Sequence, residues 1–71
     1  MDILSLKAIS SAGGSVIISA RNYDVLSLKA IATTGKGLNT KLIIKDASHL
    51  DVLSCKAIAS CNPGQVIFDF T

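Results

Sequence analysis

Lysine recurs at one place in a pattern that the chain spells three times, at Lys7, Lys29 and Lys56. If the segments carrying them lie side by side as helices, three ammonium groups align roughly 10 Å apart, at ordinary helix spacing. Such a row attracts phosphate or an acidic partner, and it serves equally well as a solvated outer face. Ser5, Ser27 and Ser54 recur as well, but nucleophilic catalysis needs a base and an orienting group within hydrogen-bond reach. The single histidine, His49, falls in the connection between two copies of the pattern, and a Ser–His–Asp site would use it with Asp51. Gly35-Lys36-Gly37 lacks the upstream glycine and the Ser or Thr after lysine that complete a phosphate-binding loop. It also follows a helical pattern instead of opening one, so no helix N-terminus would face the phosphate. Cys55 occupies the place of Leu6 and Leu28, and Cys61 that of Ala12 and Thr34, so both read as core or half-buried fillers. About 9 Å apart along a helix axis, they are too distant for an intrahelical disulfide. Two cysteines and one histidine without close spacing do not make a zinc site. The expectation is a non-enzymatic chain with no catalytic residue, no metal and no cofactor.

The elements that must position these side chains come from the same repeat. Asp2-Ile3-Leu4-Ser5-Leu6-Lys7-Ala8-Ile9 returns as Asp24-Val25-Leu26-Ser27-Leu28-Lys29-Ala30-Ile31 and as Asp51-Val52-Leu53-Ser54-Cys55-Lys56-Ala57-Ile58. Each aspartate precedes an apolar segment, where its carboxylate can take the free N–H groups of a first helical turn. Met1, Tyr23 and Leu50 come one residue before the cap, with Leu6, Leu28 and Cys55 four residues after it, the spacing of a hydrophobic staple. These paired signals predict three helices of about nine or ten residues, too short to stand alone in water. At about 100° per residue, Leu4, Leu6, Ala8, Ile9 and Ala12 share a broad apolar arc, with Lys7, Ser10 and Ser11 opposite. Gly13 and Gly35 suit left-handed C-cap positions, and Asn62-Pro63-Gly64 ends the third helix by different chemistry.

An apolar triplet follows each break: Val16-Ile17-Ile18, Leu42-Ile43-Ile44 and Val66-Ile67-Phe68. These read as short strands, and strand–helix–strand order implies parallel pairing with right-handed crossovers. The predicted fold is α/β, a three-repeat helix–strand solenoid with a three-stranded parallel sheet and three helices on one face. It forms one domain over residues 1–71, with repeats at approximately 1–22, 23–49 and 50–71. The spacing between successive aspartates is 22 residues and then 27, the surplus lying mostly in Lys36-Gly37-Leu38-Asn39-Thr40. Loop insertions of this kind collect on one rim of a repeat array.

The helix-plus-strand unit resembles a leucine-rich repeat and, more loosely, the short bacterial β–α solenoids, with a likeness of period that runs over all 71 residues. At the ladder positions where leucine-rich repeats place Asn, this chain has Arg21, Ala47 and Thr71. The resemblance implies a protein-binding scaffold without catalytic residues.

Bulk properties agree with a small interaction module. The formal charge of +2, from 7 basic and 5 acidic residues, is too small to argue for nucleic acid. The chain is 49% apolar but only 4% aromatic, so Ile, Leu, Val and Ala must build the core. No apolar run is long enough for a membrane span, and Met1-Asp2 puts an acid where a signal peptide carries positive charge. A cytoplasmic protein or a fragment of a longer one is expected.

In each strand, alternate residues face opposite sides. With Val16 and Ile18 and their counterparts turned to the helices, the outer face shows Ser15-Ile17-Ser19, Lys41-Ile43-Lys45 and Gln65-Ile67-Asp69. Parallel stacking makes a row of Ile17, Ile43 and Ile67, with Lys41, Lys45 and Asp69 on its rim, the pattern of a contact surface. The sheet also has two open edges that neither proline nor dense charge protects. A homo-oligomer or a protein partner is expected at this face. The alternative is a weak anionic-ligand or phosphate binder using Lys7, Lys29 and Lys56.

Overall fold

Aspartate opens every helix. Asp2, Asp24 and Asp51 hold extended backbone, and their carboxylates accept the N–H groups of Ser5, Ser27 and Ser54 at 2.8, 2.8 and 2.7 Å. Those bonds satisfy donors that have no partner within the helix. The computed structural model describes all residues from Met1 to Thr71. Helix α1 spans Ile3–Ser11, strand β1 Val16–Ser19, helix α2 Val25–Thr34 and strand β2 Leu42–Lys45. A 3-10 turn at Ala47–His49 then leads into helix α3, Val52–Cys61, and strand β3, Val66–Phe68.

The strands form one parallel sheet in the order β1-β2-β3. Val16, Leu42 and Val66 stand in register, as do Ile17, Ile43 and Ile67, and then Ile18, Ile44 and Phe68. Ile18 and Ile44 join Leu6, Leu28, Ile31 and Ile58 in a single buried cluster, which fixes the side of the sheet that the helices cover. The core is aliphatic, and Phe68 packs on its margin.

The apolar arc is narrower than expected, since Leu4, Leu26 and Leu53 are exposed in all three helices while Ile31 and Ile58 stay buried, and in α1 it is narrower still. Leu4, Ile9, Ala8 and Ala12 are exposed, whereas Ser10 is buried and Lys7 half-buried; only Leu6 of the arc lies in the core. Ile3, Leu6 and Ser10, at spacings of three and four, share the inward stripe. Ser10 aligns with Ala32 and Ala59, so the stripe keeps a small residue where adjacent helices come close. The staple also fails in the first copy, since Met1 is exposed while Tyr23 and Leu50 pack against the core. Tyr23 instead donates its hydroxyl to the Met1 carbonyl.

Only one of the two expected glycine caps is left-handed. Gly13 has φ +95°, but Gly35 has φ −88°, a value open to any residue. The left-handed turns of the long connection fall on Gly37 and Asn39 instead. Gly35 is needed for space, because an added Cβ would lie 2.3 Å from Thr40 Oγ1 and 2.9 Å from Ser10 Oγ.

Candidate functional site

The outer face of the sheet carries the row that the strand pattern anticipates. Ile17, Ile43 and Ile67 are Cα partners across the three strands. Ile17 is 64% exposed and Ile67 46%, while Ile43, flanked on both sides, is half-buried. Lys41 and Lys45 are exposed at the two ends of β2. The Lys41 ammonium donates to the Gly64 carbonyl at 3.5 Å, leaning toward the entry of β3. Asp69 is half-buried just past β3. The hydroxyl and then the N–H of Thr71 bond to its carboxylate, and with the more distant Lys45 charge they hold it below the ordinary carboxylate value.

At the C-terminal rim a small polar cluster joins β1 to β2. Ser19 donates its hydroxyl to Asp46 at 2.6 Å, and Arg21 Nε stands 3.9 Å from the same carboxylate. Asp46 adopts a left-handed backbone, φ +57°, which turns the chain sharply after β2. Sequence reasoning missed this cluster; its one local signal is a polar residue directly after a strand, a position that invites a turn.

The helix face differs from the sheet face. Lys7 and Lys29 are half-buried and Lys56 is exposed, each one turn from the exposed row Leu4, Leu26 and Leu53. Asp2, Asp24 and Asp51 stand at the starts of the same helices, five residues before each lysine. Their pKa values are lowered, chiefly by the N–H and then the hydroxyl of Ser5 and Ser27, and at Asp51 by the hydroxyl and then the N–H of Ser54. Each helix therefore carries a carboxylate at its start as well as a lysine in its second turn.

His49 is exposed at the end of the 3-10 turn. Cys55 and Cys61 are free and half-buried; burial, with the nearby Asp51 charge, pushes the Cys55 thiol up. Cys61 donates its thiol to the Ala57 carbonyl at 3.3 Å, so it turns back onto its own helix.

Two concavities remain. An apolar groove of about 420 Å³ opens between α1 and β1, lined among others by Met1, Leu6, Ile9, Val16, Ile18 and Tyr23. A polar one of about 410 Å³ joins Lys36, Gly37 and Asn39 of the long connection to Asn62, Pro63 and Gln65. Gln65 Oε1 is buried there without a hydrogen-bond partner. No family model, curated protein or solved structure matches the chain. No helix is long and apolar enough to cross a membrane.

Proposed function

We propose that the chain is a non-catalytic interaction module of solenoid type, three helix–strand units long, whose outer sheet face takes a protein surface. The observation that carries this reading is the register of Ile17, Ile43 and Ile67. A single exposed isoleucine is ordinary, but three in line on adjacent strands make a continuous apolar strip with a polar rim. The central strand brings Lys41 and Lys45 to that rim. In a face-to-face pair whose two-fold axis lies between the two sheets, opposite β2, the lysines of one copy approach those of the other. A partner whose apolar patch is flanked by carboxylates therefore fits better than a second copy.

Ile43→Lys tests the reading, since it sets a charge in the middle of the strip without touching the helix-side core. Face-to-face pairing stops at two copies. A mass of twice 7.4 kDa that returns to one chain in the variant would place a second copy on this face. A partner protein that the variant no longer binds, with its far-UV circular dichroism retained, would place that protein there. If Ile43→Lys alters neither closed-dimer mass nor partner binding, the face is not a contact surface.

A further inference from the structure

Equivalent positions in the three copies are buried unequally, and the inequality has a direction. Ile9 is 38% exposed, while its counterparts Ile31 and Ile58 are 0% exposed. Ser5 and Ala12 are exposed, while Ser27, Thr34, Ser54 and Cys61 are half-buried. These positions share one side of each helix, and only in α2 and α3 does a preceding helix cover it. The opposite side behaves in reverse. Ile3 and Val25 are half-buried but Val52 is 73% exposed; Lys7 and Lys29 are half-buried but Lys56 is exposed. Leu6, Leu28, Ser10 and Ala32 are buried, and Cys55 and Ala59 only half so. The Ser10 hydroxyl, 3.5 Å from the Ile31 carbonyl, marks where the two kinds of side meet inside the chain.

The chain therefore presents both halves of its own internal seam, one at each end. We propose that copies of this chain join end to end, the α3–β3 end of one seated on the α1–β1 end of the next. The internal ladder sets the register. Val16 N–H donates to the Lys41 carbonyl and Leu42 N–H to the Gln65 carbonyl, so Val66 N–H of one copy donates to the Ser15 carbonyl of the next. Ile17 of the incoming copy then continues the row of Ile17, Ile43 and Ile67. The apolar groove beside β1 receives the uncovered aromatic end of β3, where Phe70 is exposed and stacks on Phe68 at 6.2 Å. Because the two surfaces differ, the contact does not close on itself, and joining continues as an open series. This contact is made along the edge of the sheet and the sides of α1 and α3, so it does not require the outer sheet face around Ile43 to be covered.

The test is sedimentation equilibrium on the 71-residue chain up to about 1 mM, the concentration at which even a weak contact shows. The weight-average mass should climb past twice 7.4 kDa without a plateau, and should do so equally in Ile43→Lys. Ile9→Glu blocks the α1 end and Val52→Glu the α3 end; each alone should stay at one chain with unchanged far-UV circular dichroism. Mixed together, they retain one good end apiece and should form a 1:1 dimer and nothing larger. A wild-type chain of constant single mass overturns the proposal. So does association that survives either substitution, or a mixture that remains monomeric.

Discussion

A β-carbon on Gly35 would sit 2.3 Å from the hydroxyl oxygen of Thr40, a residue that is itself buried. Ser10 Oγ and Asn62 Nδ2 would lie 2.9 and 3.4 Å from it, so Gly35 is enclosed by three polar side chains from three parts of the chain. At a helix end with ordinary negative φ, replacing glycine by alanine usually stabilises by about 0.4–1 kcal/mol through the unfolded chain. Here the enclosed site reverses the sign. Gly35→Ala should destabilise by about 1–3 kcal/mol in urea unfolding, the cost of forcing a methyl group into a packed interior. Adding Thr40→Ala should recover part of that loss, because it removes the nearest atom. A stabilised Gly35→Ala protein would show that the seam yields easily.

The copy to which an isoleucine belongs, and not its type or its position within the repeat, should set its worth. Ile31 is fully enclosed between α1 and the sheet cluster, whereas Ile9 borders the open groove. Ile31→Ala should cost about 2–5 kcal/mol, as deep truncations in rigid cores do. Ile9→Ala should cost clearly less in dilute protein, where the groove is open to water. Equal losses at the two sites would mean that Ile9 is covered in solution.

The leucines allow the narrower arc to be checked directly. Leu26 and Leu28 are two residues apart on α2, one exposed and the other buried. Leu26→Gln should change stability by no more than about 0.5 kcal/mol, typical of a surface site. Leu28→Ala should cost about 2–5 kcal/mol. The contrast is read from denaturant midpoints, and similar losses at both positions would restore the broad apolar arc.

Much of the fold was legible because local signals were redundant. An aspartate, its serine three residues on and the apolar positions between them all point to one helix start, three times over, and the β-branched triplets point to strands. The width of the buried arc was less legible. Leu4 and Ile9 look like core residues by type, and Ser10 does not, yet the seam between helices rewards small size and buries Ser10. Alignment of the copies held the needed clue, since Ser10, Ala32 and Ala59 are all small. Gly35 misled for a related reason: glycine supplies either left-handed conformation or empty space, and sequence alone does not separate the two. On the sheet face, the row of isoleucines follows directly from alternation once the pairing is parallel. The Ser19–Asp46–Arg21 cluster does not, because it depends on where two strands end relative to one another.

The aspartate caps should also give the fold a dependence on acid. Asp2, Asp24 and Asp51 all have pKa values lowered from 3.8 by hydrogen bonds from Ser5, Ser27 and Ser54. The unfolded chain, lacking these bonds, takes up protons at the higher value. The stability from the caps is therefore complete above about pH 3.8 and declines as pH falls through the lower folded-state values. Urea midpoints measured from about pH 6 to about pH 2 should fall most steeply at the acid end. In the triple variant Asp2→Asn, Asp24→Asn and Asp51→Asn, the caps remain hydrogen-bond acceptors but no longer titrate. That protein should keep its helices at neutral pH and lose most of the acid slope, leaving the part due to Asp69, whose value the Thr71 hydrogen bonds lower in the same sense. An undiminished slope in the triple variant would show that the acid response does not come from the helix starts.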